Sequence, residues 1–466
     1  LNAGSTAIHT IQFMQWISII PRRGDFPIAQ FRQLGNHPSK IEKQIRKFTK
    51  AITSNMNPST HLPTRMKQLL SFALATLLFT NLAFSAEKLK IFILAGQSNT
   101  VGHARAHTIA TLLQSSSERD KALTKLVFKE GSGASKEAMD KQLEAARALD
   151  ELTGGIKNQK IKDMKPGPEK TKLEAEVAKR KEAHEAYKAM VASSCVVSDR
   201  VYINSIADRN KKSGKLGIGY GASNDKIGPE YSFGLSIAEK VDGPILLIKT
   251  SWGGKSLNYN FRPPSAGEYQ LNEKQKKSGK VEEIQQNASL NYRMMNEQIH
   301  SVLKNLKENH PAYDPKAGYE IAGFVWFQGF NDQFDEAFRT NYKDNMIAFI
   351  QDVRKEYKVP NMPFIIGVLG TNMTKEKVDE NAVSQGQRAA AKHPEFKDNV
   401  LSVESYTEYS HYSYSVFKKG WPAHYHEWDT VGSDRPYHYL GSGGFFVRLG
   451  DSFANAMAQL IAKQNK

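Results

Sequence analysis

One cysteine, Cys195, stands among 466 residues, so the chain cannot close a disulfide on itself. That excludes a disulfide-stapled scaffold. It does not fix the compartment, because an exported protein can do without disulfides. No internal repeat is visible, and no basic motif interleaved with aromatics marks a nucleic-acid interface. The most apolar stretch, within residues 66–86, is short for a membrane span. What is present is a globular composition, 40% hydrophobic and 24% charged, at a length that holds one large domain or a domain with additions.

That apolar stretch has a reading of its own. Met66 and Lys67 precede it, and Ala83 and Ser85 supply small residues three and one before a cut after Ser85. This is the layout of a secretory signal peptide over residues 66–85, which implies a secreted or periplasmic protein. A signal peptide works at a true N-terminus. Residues 1–65 therefore read as an upstream extension outside the fold, with translation starting at Met66. The extension also distorts the charge. The whole chain carries +16, but residues 1–65 hold nine Lys and Arg against Asp25 and Glu42. With Lys67 also set aside, the chain from Ala86 keeps about +8 by simple counting.

Residues 86–466 read as one α/β domain. Apolar strands are expected at Leu89–Ala95, Pro244–Thr250, Ile321–Phe327, Met362–Leu369 and Val400–Val403. Helices are expected after Gly228-Pro229-Glu230 and over 288–308, 338–355 and 444–463. Such alternation predicts a mostly parallel sheet covered on both faces, with its site beyond the carboxyl ends of the strands. A segment rich in Lys, Glu and Ala, about 113–193, interrupts the pattern. It reads as a charged helical hairpin, Lys136–Leu152 and Glu169–Val191, projecting from the core as a solvated insertion.

Three motifs follow strand ends. Gly96-Gln97-Ser98-Asn99 presents a serine just past a glycine, the way a nucleophile is mounted on a sharp strand-to-helix turn. Gly253-Gly254 offers backbone N–H groups without a Cβ in the way. Asn331, in Gly329-Phe330-Asn331-Asp332, offers a side-chain amide. A serine esterase needs these and a base. Of His411, His424, His426 and His438, the last is best placed, just before the final helix. Asp434 is its first candidate acid, with Asp429 and Glu427 as rivals. A serine–histidine dyad without an acid is the remaining option.

In this order the four blocks resemble those of the SGNH hydrolases. Gly96–Asn99, Gly228-Pro229-Glu230, Trp326–Asp332 and His438-Tyr439 resemble, more narrowly, the sialate O-acetylesterase-like proteins and carbohydrate esterase family 6. The resemblance implies a flavodoxin-like three-layer αβα fold and removal of O-acetyl groups from oligo- or polysaccharides without metal or other cofactor. By it Ser98 is the nucleophile, His438 the base, and Ser98, Gly253 and Asn331 the oxyanion hole. Gln97, Trp252, Gly254, Gln328, Phe330 and Arg262 are the expected substrate contacts, with Tyr259 and Tyr439 joining Trp252 and Phe330 in a sugar-stacking surface. Two departures stand out. Many relatives have Gln-Gly-Glu where this chain has Gln328-Gly329-Phe330, and Asp434 lies four residues before His438 rather than three. A lipase or thioesterase of the same fold, or a glycan-binding protein without catalysis, are the other readings of the pattern.

Overall fold

A computed structural model describes residues 87–464. The upstream extension and the signal peptide read from the sequence lie outside the described residues. The described residues form nine strands: β1 (Leu89–Gly96), β2 (Ala104–Arg105), β3 (Val201–Ala207), β4 (Asn210–Lys215), β5 (Lys226–Ile227), β6 (Ile245–Ser251), β7 (Tyr319–Phe327), β8 (Phe364–Val368) and β9 (Val400–Glu404). Seven of them make the main sheet in the order β4-β3-β6-β1-β7-β8-β9. All its pairings are parallel except β3 with β4. The five strands β6-β1-β7-β8-β9 reproduce the flavodoxin-like order, which puts β1 at the point where the winding reverses.

Strand β1 shows why the sheet is covered on both sides. Phe92 and Leu94 point into one apolar cluster, and Leu89, Ile91, Ile93 and Ala95 into the other. Helices Glu230–Ala238 and Gly443–Gln464 close the first face. Helices Leu290–Lys304, Glu336–Glu356 and Ala382–Ala391 close the second. Among the described residues no helix is long and apolar enough to cross a membrane.

The expected hairpin forms as Lys136–Thr153 and Pro168–Ser194, but it does not simply project into solvent. Met139, Leu143 and Val191 belong to the same core cluster as β1. Its polar face is also fastened, to the helix Tyr425–Val431. Arg147 Nε donates to Glu427 Oε1 at 2.8 Å, and Lys188 Nζ to Asp429 Oδ2 at 2.8 Å. Asp150 accepts from the backbone N–H groups of His426 and Glu427. A charged composition was compatible with a free arm. The apolar stripe running through it has instead docked it.

Two buried histidines in this junction make it acid-sensitive. Burial lowers His107, whose Nε2 lies 2.6 Å from Asp429 O, from 6.5 to about 4. Burial lowers His426 likewise, to about 4, with His184 adding to the effect. Both are neutral in the fold, whereas the unfolded chain takes up the protons below about 6.5. The stability they contribute is therefore whole above pH 6.5 and lost as the pH falls toward 4, at about 3 kcal/mol for each. Urea unfolding at pH 7.5 and at pH 4.5 should show a drop of several kcal/mol. Equal midpoints would contradict the burial of neutral imidazoles here.

Candidate active site

The parallel register brings three strand ends level: Gly96 lies opposite Ser251 of β6 on one side and Phe327 of β7 on the other. The motifs that follow these strands therefore meet. Gly96 has φ +156°, and a Cβ there would run into the carbonyl of Phe327 and the Thr100 hydroxyl, so only glycine fits the turn. Ser98 opens the short helix Ser98–Val101, where its own N–H has no partner within the helix. Thr100 Oγ1 donates to Phe327 O at 2.6 Å and fixes the turn to β7.

Beneath the turn is a buried ion pair. Lys249 and Glu230 are both wholly buried, 2.8 Å apart. Lys249 Nζ also donates to Val101 O and Tyr220 O, each at 2.8 Å. Burial lowers the lysine's pKa, and Glu230 opposes that shift. Gly228-Pro229-Glu230, read as a helix start, thus supplies the counter-charge to a lysine that pins the end of the helix carrying Ser98. The one lysine in Ile245–Ser251 was the visible signal, since a charge in an apolar strand needs a partner.

Gln97 and Gln328, expected as substrate contacts, are instead internal ties. Gln97 Oε1 accepts from Gln328 Nε2 at 3.1 Å and from the N–H groups of Gly329 and Asn331. Gln97 Nε2 donates to Asn331 Oδ1 at 3.2 Å. Asp332 is fully buried and accepts from Gln328, Leu257 and Asn258; burial raises its pKa to about 6 against those bonds. Asn331 Nδ2 gives one hydrogen to Gly254 O at 3.0 Å, which leaves its second for a ligand. Gly254 faces open space. Gly253 sits against Ser98, but its single N–H is directed at Asp208 Oδ1, 2.6 Å away. As an oxyanion donor it competes with a carboxylate the sequence reading did not consider.

His438 lies in the turn Pro436–Gly441, which is kinked by left-handed Tyr439 and Leu440. The kink lets Asp434, four residues earlier, reach the imidazole: Asp434 Oδ1 is 3.1 Å from His438 Nδ1, though out of line for a straight hydrogen bond. The rival acids are engaged elsewhere, Glu427 with Arg147 and Lys419, and Asp429 with His184, Lys188 and Arg105. Burial alone would raise the Asp434 pKa, but His103 and His438 outweigh it and hold the carboxyl well below the usual range. Asn99 Nδ2 donates to Tyr437 O at 3.2 Å, fastening the residue after Ser98 to the residue before His438.

His103 is the site residue the sequence did not flag. Its ring stacks on that of His438, centroids 4.0 Å apart and planes within 6°, and its Nδ1 lies 3.4 Å from Asp434 Oδ2. The three side chains lie close enough to suggest a metal site. An imidazole ligates in its own plane, however, and two parallel stacked rings cannot both aim at one ion. In the other such group, His184, Glu185 and Asp429, Lys188 Nζ already bridges the two carboxylates.

Four of the expected substrate contacts are engaged within the protein itself. Arg262 is buried and donates to the carbonyls of Asn258, Ala266 and Gly267, so it holds its own loop. Trp252 is almost wholly buried and packs near Phe261. Tyr439 is buried, stacked on Phe445 and bonded to Ser405 and Gly370 N–H. Tyr259 is half-buried, its hydroxyl bound to Ile284 O. Phe330 is half-buried and stands in a row with Phe334 (69% exposed) and Tyr437 (43% exposed), and Tyr437 abuts His438.

The fold is a mostly parallel αβα sandwich. Residues 177–408 match the model of a family described as carbohydrate esterase, sialic acid-specific acetylesterase, so the chain is similar to carbohydrate acetylesterases. That stretch contains Gly253 and Asn331, while Ser98 and His438 flank it. Comparison with curated proteins finds no match. Among solved structures, one similar chain is a protein from Arabidopsis thaliana, at 16% identity and TM-score 0.33, covering 68% of this chain and 86% of that one. A carbohydrate acetylesterase from Xanthomonas citri is similar at 12% identity and TM-score 0.32, over 68% of this chain and 49% of that one. NanS is similar at 9% identity and TM-score 0.32, over 69% and 78%.

Proposed function

We infer that the protein is an exported serine esterase that removes O-acetyl groups from carbohydrates. The observation that carries this reading is the convergence of Ser98, Asn331 and the Asp434–His438 pair at the carboxyl edge of the sheet, in a chain similar to carbohydrate acetylesterases. Ser98 Oγ attacks the acetyl carbonyl while His438 takes its proton. Asp434 faces Nδ1, so Nε2 is the nitrogen that serves the serine, and the ionised carboxylate stabilises the imidazolium. Ser98 N–H and the free hydrogen of Asn331 Nδ2 meet the oxyanion; Gly253 N–H joins them when Asp208 releases it. The proton passes from His438 to the sugar oxygen as the C–O bond breaks. Water, deprotonated by His438, then cleaves the acetyl-serine and releases acetate.

The row formed by half-buried Phe330 with exposed Phe334 and Tyr437 supports a sugar ligand, because aromatic faces cover the apolar faces of sugar rings. The test is acetate release from a panel of acetylated oligo- and polysaccharides, with Ser98→Ala as control. Release from none of them, by a folded enzyme that cleaves simple esters, would reject the carbohydrate assignment. Acyl-chain length gives a separate check. The motif loops offer no long apolar channel in their residues, so 4-nitrophenyl acetate should exceed the octanoate ester in kcat/KM by at least about tenfold, the order that a few methylenes without a pocket imply. The opposite preference would favour a lipase.

A further inference from the structure

The geometry points to His103 as a positioning residue that shares the Asp434 carboxylate with His438 and thereby keeps the basicity of His438 down. This rests on the reading of His438 as the catalytic base.

Asp434 stands before two parallel imidazoles and turns a different oxygen to each: Oδ1 toward His438 at 3.1 Å and Oδ2 toward His103 at 3.4 Å. The division accounts for the bent approach to His438, because a carboxylate aligned fully with one ring would abandon the other. The backbone fixes this arrangement. Ser433 Oγ lies 3.3 Å from His103 O, and Arg105 N donates to Ser433 Oγ at 3.0 Å, so the segment after Ser98 is stitched to the segment before Asp434. The stack at 4.0 Å leaves the His438 ring little freedom to turn.

The charged neighbours of His103 set its state. Burial lowers its pKa; the bond to Asp434 works the other way, and His438 and Lys226 push it further down. A neutral His103 donates Nδ1–H to Asp434 and draws off part of the negative charge that would otherwise favour the His438 imidazolium. It also puts no like charge against that imidazolium when the serine proton arrives. The consequence is a base that stays unprotonated, and so competent, to lower pH than a lone Asp–His pair would allow.

The experiment is the pH profile of kcat/KM for 4-nitrophenyl acetate. His103→Phe keeps a flat ring on His438 and removes the donor, so its acid limb should move upward by about half a unit or more. His103→Leu, which also lacks the donor, should move it the same way and serves where the larger ring disturbs folding. His103→Asn retains a donor near the Nδ1 position and should keep the wild-type limb. KM should change little in all three. An acid limb in both donor-less variants that overlays the wild type, or moves downward, would overturn the proposal. Ser98→Ala run beside them separates the two readings: an active Ser98→Ala refutes the serine mechanism, whereas an inactive one with unshifted His103 variants refutes only the role of His103.

Discussion

Ser98→Ala should cut kcat for acetyl-ester hydrolysis by at least about 10^4-fold, with KM changed only a few-fold. In the proposed mechanism the hydroxyl is the bond-forming atom, and its neighbours Gln97 and Thr100, both committed to internal bonds, are not free to replace it. Binding rests on the surrounding loops, which the substitution leaves in place. His438→Ala should cost a similar factor, and the double variant little more than either alone, because nucleophile and base act as one unit. Initial rates with 4-nitrophenyl acetate decide the matter. A Ser98→Ala enzyme keeping a tenth of wild-type activity would end the nucleophile assignment.

The second large effect is on stability. Lys249→Met would leave Glu230 charged and buried without its partner, and should destabilise the fold by about 3–5 kcal/mol. Adding Glu230→Leu should restore most of that, because two apolar side chains of similar volume replace a buried pair at little net cost. Activity should part from stability in the double variant. Val101 O and Tyr220 O lose the ammonium that binds both, so the helix carrying Ser98 is no longer held at its far end and kcat stays low. Denaturant melts and rates on the same preparations test this. Full recovery of rate together with stability would show that the lysine balances charge and does not position the nucleophile.

How far the chain could be read depended on where its information is local. The central strands are near-continuous apolar runs, and β1, β6, β8 and the latter part of β7 stand out at once as strands buried on both faces, while the short apolar start of β9 marks a half-buried edge strand. Strands β3 and β4 do not, since Val201–Ala207 mixes polar residues in and Asn210–Lys215 is polar throughout, as an exposed edge strand tends to be. Ser98 and Asn331 were legible because they directly follow such strands. Asp434 stood first among the candidate acids, but the choice over Asp429 and Glu427 stayed open, because its reach to His438 depends on two left-handed residues downstream that no spacing rule anticipates. Arg262 misled because an arginine in a loop can bind an anion or tie off backbone carbonyls, and only the folded loop shows which. The stripe of Met139, Leu143, Ala146 and Leu149 was present to be read in the inserted helix, but its many charges obscured it.

The placement of β1 bears on how the protein is made. It is the first strand of the sheet to be synthesised, yet its two neighbours, β6 and β7, begin only at residues 245 and 319. An emerging chain must carry Leu-Lys-Ile-Phe-Ile-Leu-Ala unpaired through all the intervening synthesis, which exposes a sticky segment to other chains. The Lys- and Glu-rich helices that follow it are local structures, able to form early and keep the nascent polypeptide dispersed. Because His438 follows the last strand of the sheet, the proposed pairing of Ser98 with His438 can assemble only after every strand has been made.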